Sequence, residues 1–162
     1  MGRELEGRRD GTGLRLAVAV ARFNDFVTSR LLEGARRAAS ELGVAESDVD
    51  IAWAPGCFEL PLTARALASS GRYDAVVCLG AVIRGETPHF DYVAGQAAEG
   101  IQRVALDTGV PCAFGVVTTE NVEQALARAG GAKGNKGYDA VVTAIETANL
   151  LRGLRTDGSR RV

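Results

Sequence analysis

The sequence predicts an α/β protein, a three-layer sandwich in which helices cover both faces of a four-stranded, mostly parallel sheet. Short apolar runs alternate along the chain with longer stretches whose apolar residues recur at helical spacing. One run, residues 75–83, is apolar without alternation, which is typical of a central parallel strand covered on both faces. With 162 residues and no linker rich in proline and serine, the chain has the size of one domain.

The first half of the chain contains two predicted strand–helix units. Residues 14–20 form an apolar run, and Asn24-Asp25 then opens a stretch with one apolar helical face. Residues 49–54 are predicted to form a second short strand, and residues 58–69 a helix that tolerates Pro61 in its first turn.

The second half repeats this unit. Residues 75–83 are the third strand, and apolar residues at helical spacing between positions 93 and 105 predict a long helix after it. Residues 111–117 are the fourth strand, and Thr119 is expected to cap the next helix. A glycine-rich joint at residues 129–137 precedes a last helix, so that four strands and about five helices are expected.

The two ends of the chain are expected to be tails around one domain of residues 14–154. Residues 1–13 carry charges and glycines without an apolar segment, so they do not resemble a signal peptide, and we interpret them as a mobile tail. Residues 155–162 are interpreted as a basic, solvated tail. No apolar run reaches the ~18 residues of a membrane span. We therefore expect a cytoplasmic protein that does not enter a membrane.

Charge, cysteine and histidine counts exclude several classes of function. Nineteen basic and 20 acidic side chains give a formal net charge of −1, which would not attract nucleic acid or anionic lipid. The three cysteines form no C-x-x-C pair, which argues against a disulfide framework and a structural zinc site. One histidine cannot form an imidazole cluster. No metal is expected.

Ligands of open parallel sheets bind beyond the carboxyl ends of the strands, so the four strand exits are the candidate site. They are residues 21–24, 55–59, 81–89 and 114–119. The third exit has the glycine spacing of a phosphate loop, but Glu86 stands where a nucleotide-binding loop needs lysine. A turn that exposes backbone N–H groups at a helix N-terminus still suits one small phosphate. A purely structural turn is the equal alternative.

Four side chains at these exits are candidates for chemistry. His89 lies beside the proposed phosphate and is the natural proton shuttle, because imidazole titrates near neutral pH. A surface histidine at a helix start is the alternative. Phe23 and Phe58 could stack on a flat ring, although core packing would also explain them. Cys57 has no second histidine to activate it, so we interpret it as a small pocket-lining residue.

Five motifs follow one another at these strand exits and helix ends. They are RFN at 22–24, PGCFELP at 55–61, GAVIRGETPHFDYV at 80–93, FGVVTTEN at 114–121 and RAGGAKGNKG at 128–137. Together they resemble the lumazine synthase family over about residues 14–154. The resemblance implies a flavodoxin-like sandwich and a transferase that needs no cofactor. Its reaction condenses 5-amino-6-(D-ribitylamino)uracil with 3,4-dihydroxy-2-butanone 4-phosphate to 6,7-dimethyl-8-ribityllumazine, in riboflavin biosynthesis.

The resemblance also implies roles for individual residues. Phe23 would stack on the pyrimidine, and His89 would move protons. The pyrimidine and ribityl chain would be bound by Cys57, Phe58, Glu59, Ala81, Val82 and Ile83, and the phosphate by Gly85, Glu86 and Thr87. Phe114, Arg128 and Lys136 would come from the neighbouring subunit, with Arg128 on the phosphate. Two residues depart from the family, because Cys57 stands where Ala or Ser is usual and Glu86 puts a carboxylate beside a phosphate.

The resemblance further implies an assembly of pentamers, which the compact joint at residues 130–137 would let close into an icosahedral cage. Riboflavin synthase is a further partner expected on this basis. Two alternatives stay open: a flavin- or lumazine-binding paralogue without synthase activity, and a protein whose main role is the cage. The presence of both His89 and Arg128 favours the enzyme.

Overall fold

The computed structural model describes residues 2–159, with side chains as far as residue 156. Its main sheet has four strands in the order β2-β1-β3-β4, and all neighbouring strands are parallel. The strands are β1 (Leu16–Ala21), β2 (Val49–Ala54), β3 (Ala75–Ile83) and β4 (Cys112–Thr119). Helices cover both faces, so the predicted three-layer, flavodoxin-like arrangement is confirmed.

Five α-helices, two short 3-10 helices and a short hairpin complete the described chain. The helices are α1 (Asp25–Glu41), α2 (Leu60–Ala68), α3 (His89–Thr108), α4 (Val122–Ala127) and α5 (Lys136–Ser159). Helices α1 and α5 pack on one face of the sheet, and α2 and α3 pack on the other. None of these helices is long and apolar enough to cross a lipid bilayer.

Strand β1 shows why the central strands read as unbroken apolar runs. All six of its residues are buried, and successive side chains point to opposite faces. Leu16, Val18 and Val20 belong to the core under α1 and α5. Ala17, Ala19 and Ala21 belong to the core under α2 and α3. The small methyl groups on this second face let α2 and α3 lie close to the sheet.

Two helix boundaries differ from the prediction. The expected helix of residues 58–69 is a 3-10 turn, Cys57–Glu59, followed by α2. The expected cap at Thr119 is wrong, because Thr119 is the last residue of β4 and pairs with Ile83 of β3. Asn121 caps α4 instead, since its Oδ1 accepts a hydrogen bond from the Gln124 N–H at 2.8 Å. Pairing in the sheet therefore extends two residues beyond the predicted strand.

The glycine-rich joint forms the hairpin β5 (Ala129–Gly131) and β6 (Gly134–Asn135), which leads into α5. Asn135 Oδ1 accepts hydrogen bonds from the backbone N–H groups of Gly137 and Tyr138, at 2.8 and 3.0 Å. A Cβ at Gly137 would lie only 2.0 Å from the carbonyl oxygen of Leu31. The joint therefore holds the start of α5 tightly against α1.

The segment that the sequence analysis interprets as an N-terminal tail contacts the folded body. Asn149 Nδ2 on α5 donates hydrogen bonds to the carbonyl oxygens of Arg8 and Asp10, both at 2.8 Å. Arg9 pairs with Glu146, also on α5. These partners are mostly backbone groups, which leave no signal in the sequence. At the other end, α5 extends to Ser159 through the start of the expected C-terminal tail, and residues 160–162 lie outside the described part of the chain.

Candidate active site

The exits of β1, β2 and β3 meet at one edge of the sheet and line two adjoining cavities. The first has a volume of about 320 Å³ and is lined by Phe23, Asn24, Cys57, Ala81, Val82, Ile83, Gly85, Thr87, His89, Phe90 and Val93. The second, more open cavity shares four residues with the first, Phe23, Cys57, His89 and Val93, and adds Pro55, Gly56, Phe58, Glu59 and Tyr92. Parallel strands bring these residues together from positions far apart in the chain.

Backbone hydrogen bonds tie the first exit to the second. The N–H of Arg22 donates to the Ala54 oxygen at 2.8 Å, and the N–H of Phe23 donates to the Pro55 oxygen at 3.0 Å. The Phe23 ring itself is 72% exposed at the mouth of the cavities. An exposed ring at a cavity mouth has a free face on which a flat ligand can stack.

Asn24 follows in a left-handed conformation, with φ 64° and ψ 43°. It is the one non-glycine residue with positive φ in the described chain. This conformation costs most residues about 1–2 kcal/mol, whereas asparagine and glycine adopt it readily. Although Asn24 precedes α1, its side chain does not cap that helix. Its amide nitrogen donates instead to the carbonyl oxygen of Ala81 on β3, at 2.9 Å.

The second exit places Cys57 in the wall of both cavities. Cys57 is 6% exposed and begins the turn that leads into α2. Burial raises the pKa of its thiol to about 11, and a hydrogen bond from the Ala81 backbone opposes this shift only in part. A neutral, buried thiol is a poor nucleophile at neutral pH. The geometry agrees with the interpretation of Cys57 as a pocket-lining group, and the neighbouring Phe58 ring is 60% exposed.

The third exit is the loop of residues 84–88 between β3 and α3. Gly85 and Thr87 line the first cavity, whereas Glu86 is exposed and does not. His89 is the first residue of α3 and lines both cavities. The N-terminus of a 20-residue helix carries unpaired N–H groups and a partial positive charge, which favour an anion beside His89.

Arg84 anchors this loop to the fourth exit. The sequence did not predict this contact. The backbone N–H of Arg84 donates to the Thr119 oxygen at 2.8 Å, continuing the β3–β4 ladder. Its guanidinium lies 4.4 Å above the Phe90 ring and pairs with Glu120 at 2.9 Å and Asp91 at 3.5 Å. This arginine is therefore engaged within the chain.

Four of the predicted site residues do not line these cavities: Glu86, Phe114, Arg128 and Lys136. Phe114 lies within the edge strand β4 opposite Cys78, not at its exit as the sequence analysis assumed, and its ring is 46% exposed. Arg128 ends α4, and its Nη1 donates to the Gln124 oxygen at 3.0 Å. Lys136 begins α5 and lies 3.8 Å from Asp139.

Asn24, Phe90, Tyr92 and Val93 also line the cavities, beyond the predicted site residues. The last three lie within four residues of His89 on α3, so they could have been found by extending the third exit into the helix. Within residues 2–156, no cluster of three His, Cys, Asp or Glu side chains is placed to hold a metal ion.

A protein-family model described as 6,7-dimethyl-8-ribityllumazine synthase matches residues 13–152 of the 162-residue chain. The match includes all four strands of the main sheet and each of the residues that line the two cavities.

Proposed function

Because the chain belongs to the 6,7-dimethyl-8-ribityllumazine synthase family, whose members are transferases of riboflavin biosynthesis, we propose that it is an active lumazine synthase. It would condense 5-amino-6-(D-ribitylamino)uracil with 3,4-dihydroxy-2-butanone 4-phosphate. The products are 6,7-dimethyl-8-ribityllumazine, phosphate and water.

The observation that supports this proposal most is the grouping of an exposed ring, a glycine turn and a histidine around one cavity. Phe23 offers a stacking face, and Gly85, Thr87 and His89 line the same cavity. The volume of about 320 Å³ lies in the range of small-molecule sites. Largely apolar walls with a few polar groups suit a flat heterocycle with a polar chain.

The proposed chemistry requires positioning and proton transfer. An amine of the pyrimidine adds to the ketone, water and phosphate are lost, and the second ring closes. In this proposal the N–H groups of the loop and of the α3 N-terminus hold the phosphate, and His89 carries protons between the reacting atoms. Holding two reactants in register accounts for most of the rate enhancement.

We further propose that a neighbouring subunit completes each site. Phe114, Arg128 and Lys136 would come from that subunit, with Arg128 on the phosphate. Two observations support this: none of the three lines the cavities around His89, and Arg84, the arginine of the loop itself, pairs with Glu120 and Asp91. The proposed assembly is a pentamer that closes into an icosahedral cage in the cytoplasm and works together with riboflavin synthase.

The test is to mix the purified protein with both substrates and to follow the fluorescence of the lumazine product. We expect product and inorganic phosphate to form in equal amounts. Omitting either substrate is the control. A folded protein that binds added lumazine but forms none would instead be the binding paralogue, and the proposed activity would be wrong.

A further inference from the structure

We propose that Asn24 is a positioning residue, which fixes the Phe23 turn to β3 and thereby sets the place of the Phe23 ring over the cavity. The inference concerns how the pyrimidine is held and therefore rests on the proposed function. Asn24 stands at the cap position of α1, but its side chain does not cap this helix.

Asparagine directly before a helix normally caps it, by accepting a hydrogen bond from a backbone N–H of the first turn. Here the backbone oxygen of Asn24 accepts from the N–H groups of Val27 and Thr28, at 2.9 and 3.0 Å. The side chain is left for another partner, and it donates to the Ala81 oxygen at 2.9 Å. Because a carbonyl can only accept, the group facing it must be the amide nitrogen.

The hydrogen bond to Ala81 lies just beyond the end of the pairing between β1 and β3. The ladder between β1 and β3 has its last pair at Val20 and Leu79, two residues before Ala81. Beyond that pair, the Asn24 amide takes the place of a backbone donor and connects the turn to β3. Ala81 and Cys57 also line the same cavity, so Ala81 lies where the exits of three strands meet.

The hydrogen bond between Asn24 and Ala81 also bears on the position of the Phe23 ring. Its backbone N–H is held by the Pro55 oxygen, but its ring is 72% exposed and has little packing of its own. The left-handed backbone of Asn24 and the hydrogen bond to Ala81 therefore determine where the ring stands. Asparagine combines tolerance of positive φ with an amide donor, whereas glycine offers only the first.

Substitution of Asn24 by glycine separates the two properties. Asn24→Gly keeps the backbone conformation and removes the donor, and Asn24→Asp also keeps an αL-tolerant residue but sets a carboxylate against the Ala81 oxygen. We expect Asn24→Gly to raise KM for the ribitylaminouracil about tenfold while kcat changes less than about threefold, and Asn24→Asp to raise KM at least as much. Asn149→Ala is the matched control, since it removes two side-chain hydrogen bonds far from the site.

A second measurement does not depend on activity. The rate of alkylation of Cys57, read by peptide mass spectrometry, reports how firmly the exits are held together. We expect Asn24→Gly to accelerate it several-fold and Asn149→Ala to leave it unchanged. If wild type forms no lumazine, the proposed function fails, while the alkylation rates still test Asn24. A glycine variant with the wild-type alkylation rate, or with an unchanged KM in an active enzyme, would overturn the positioning role.

Discussion

The sulfur of Cys57 occupies the space that a side chain at residue 80 would need. A Cβ built on Gly80 would lie 2.4 Å from Cys57 Sγ and 3.3 Å from Leu60 Cδ1. Cys57 lies at the exit of β2 and lines the cavities, and Gly80 lies within β3 directly before the cavity-lining Ala81. Gly80 of the third motif and Cys57 of the second are therefore in direct contact, and the size of one side chain limits the size of the other.

This contact predicts that Gly80→Ala destabilises the protein by about 1–3 kcal/mol, because a methyl group would overpack the wall. Cys57→Ala in the same chain should restore most of the loss, since it removes the sulfur. Gly95→Ala is the matched control, because nothing lies within 4 Å of its added Cβ. Thermal unfolding of wild type, the two single variants and the double variant measures the coupling, and purely additive effects of the two substitutions at residues 57 and 80 would contradict the contact.

Cys57 should react slowly with iodoacetamide at neutral pH. Burial holds the pKa of its thiol near 11, and only the thiolate attacks. Below the pKa the thiolate fraction rises tenfold with each pH unit, so the rate at pH 9 should be about ten times that at pH 8. Mass spectrometry of the Cys57 peptide gives the rate. Rapid modification at pH 7 would show that the thiol is activated and not merely a pocket wall.

In the proposed reaction, Arg128→Ala should reduce kcat/KM more than His89→Ala. Proton transfer by His89 is expected to raise the rate by no more than about 10²-fold. A phosphate without its charged partner is no longer held in the position that the reaction requires. Arg103→Ala is the control, because Arg103 pairs with Asp107 on the exposed side of α3. Steady-state kinetics decide the order. An arginine variant with nearly wild-type rates would remove Arg128 from the phosphate site.

Subunit mixing tests whether Arg128 acts across an interface. Co-expressed His89→Ala and Arg128→Ala chains should regain activity, because about a quarter of randomly mixed sites join an intact histidine to an intact neighbouring arginine. Each variant expressed alone is the control. If mixed oligomers, verified by two affinity tags, are no more active than the average of the two variants, both residues act within one chain.

The assembly is tested by analytical ultracentrifugation. We expect a large species of cage size, because the compact hairpin of residues 129–135 keeps the start of α5 against α1. In the proposed pentamer this would leave the flank free to pack against the next pentamer. Added phosphate or a substrate analogue should favour the same species. A single pentamer-sized species under every condition would exclude the cage and leave the enzymatic proposal intact.

The fold was largely predictable because apolar runs mark buried strands directly. The bounds of β2 and β3 agree with the predicted residues 49–54 and 75–83. The cap of α4 at Asn121 was not predictable in this way, because the pairing of Thr119 with Ile83 extends β4 and depends on the neighbouring strand. Local preference is overridden where a tertiary partner is available.

The residues that meet at the strand ends were predictable, but the hydrogen bonds and ion pairs between them were not. Parallel strands end at one edge, so Phe23, Cys57 and His89 were expected to meet. The engagement of Arg84 by Glu120 and the left-handed backbone of Asn24 leave no periodic signal. Both depend on which residues the fold brings together, and motifs alone do not encode those distances.

The alanine face of β1 bears on how this site can change over evolutionary time. Ala17, Ala19 and Ala21 have no rotamers, so the layer on which α2 and α3 rest can neither shrink nor rearrange to admit a different ligand. The exposed rings of Phe23 and Phe58 are under no such constraint. Substitutions that alter ligand preference should therefore accumulate at the exposed rings, while the alanine layer under α2 and α3 accepts almost none. A library of variants selected on new heterocycles would find its solutions in a handful of rim positions.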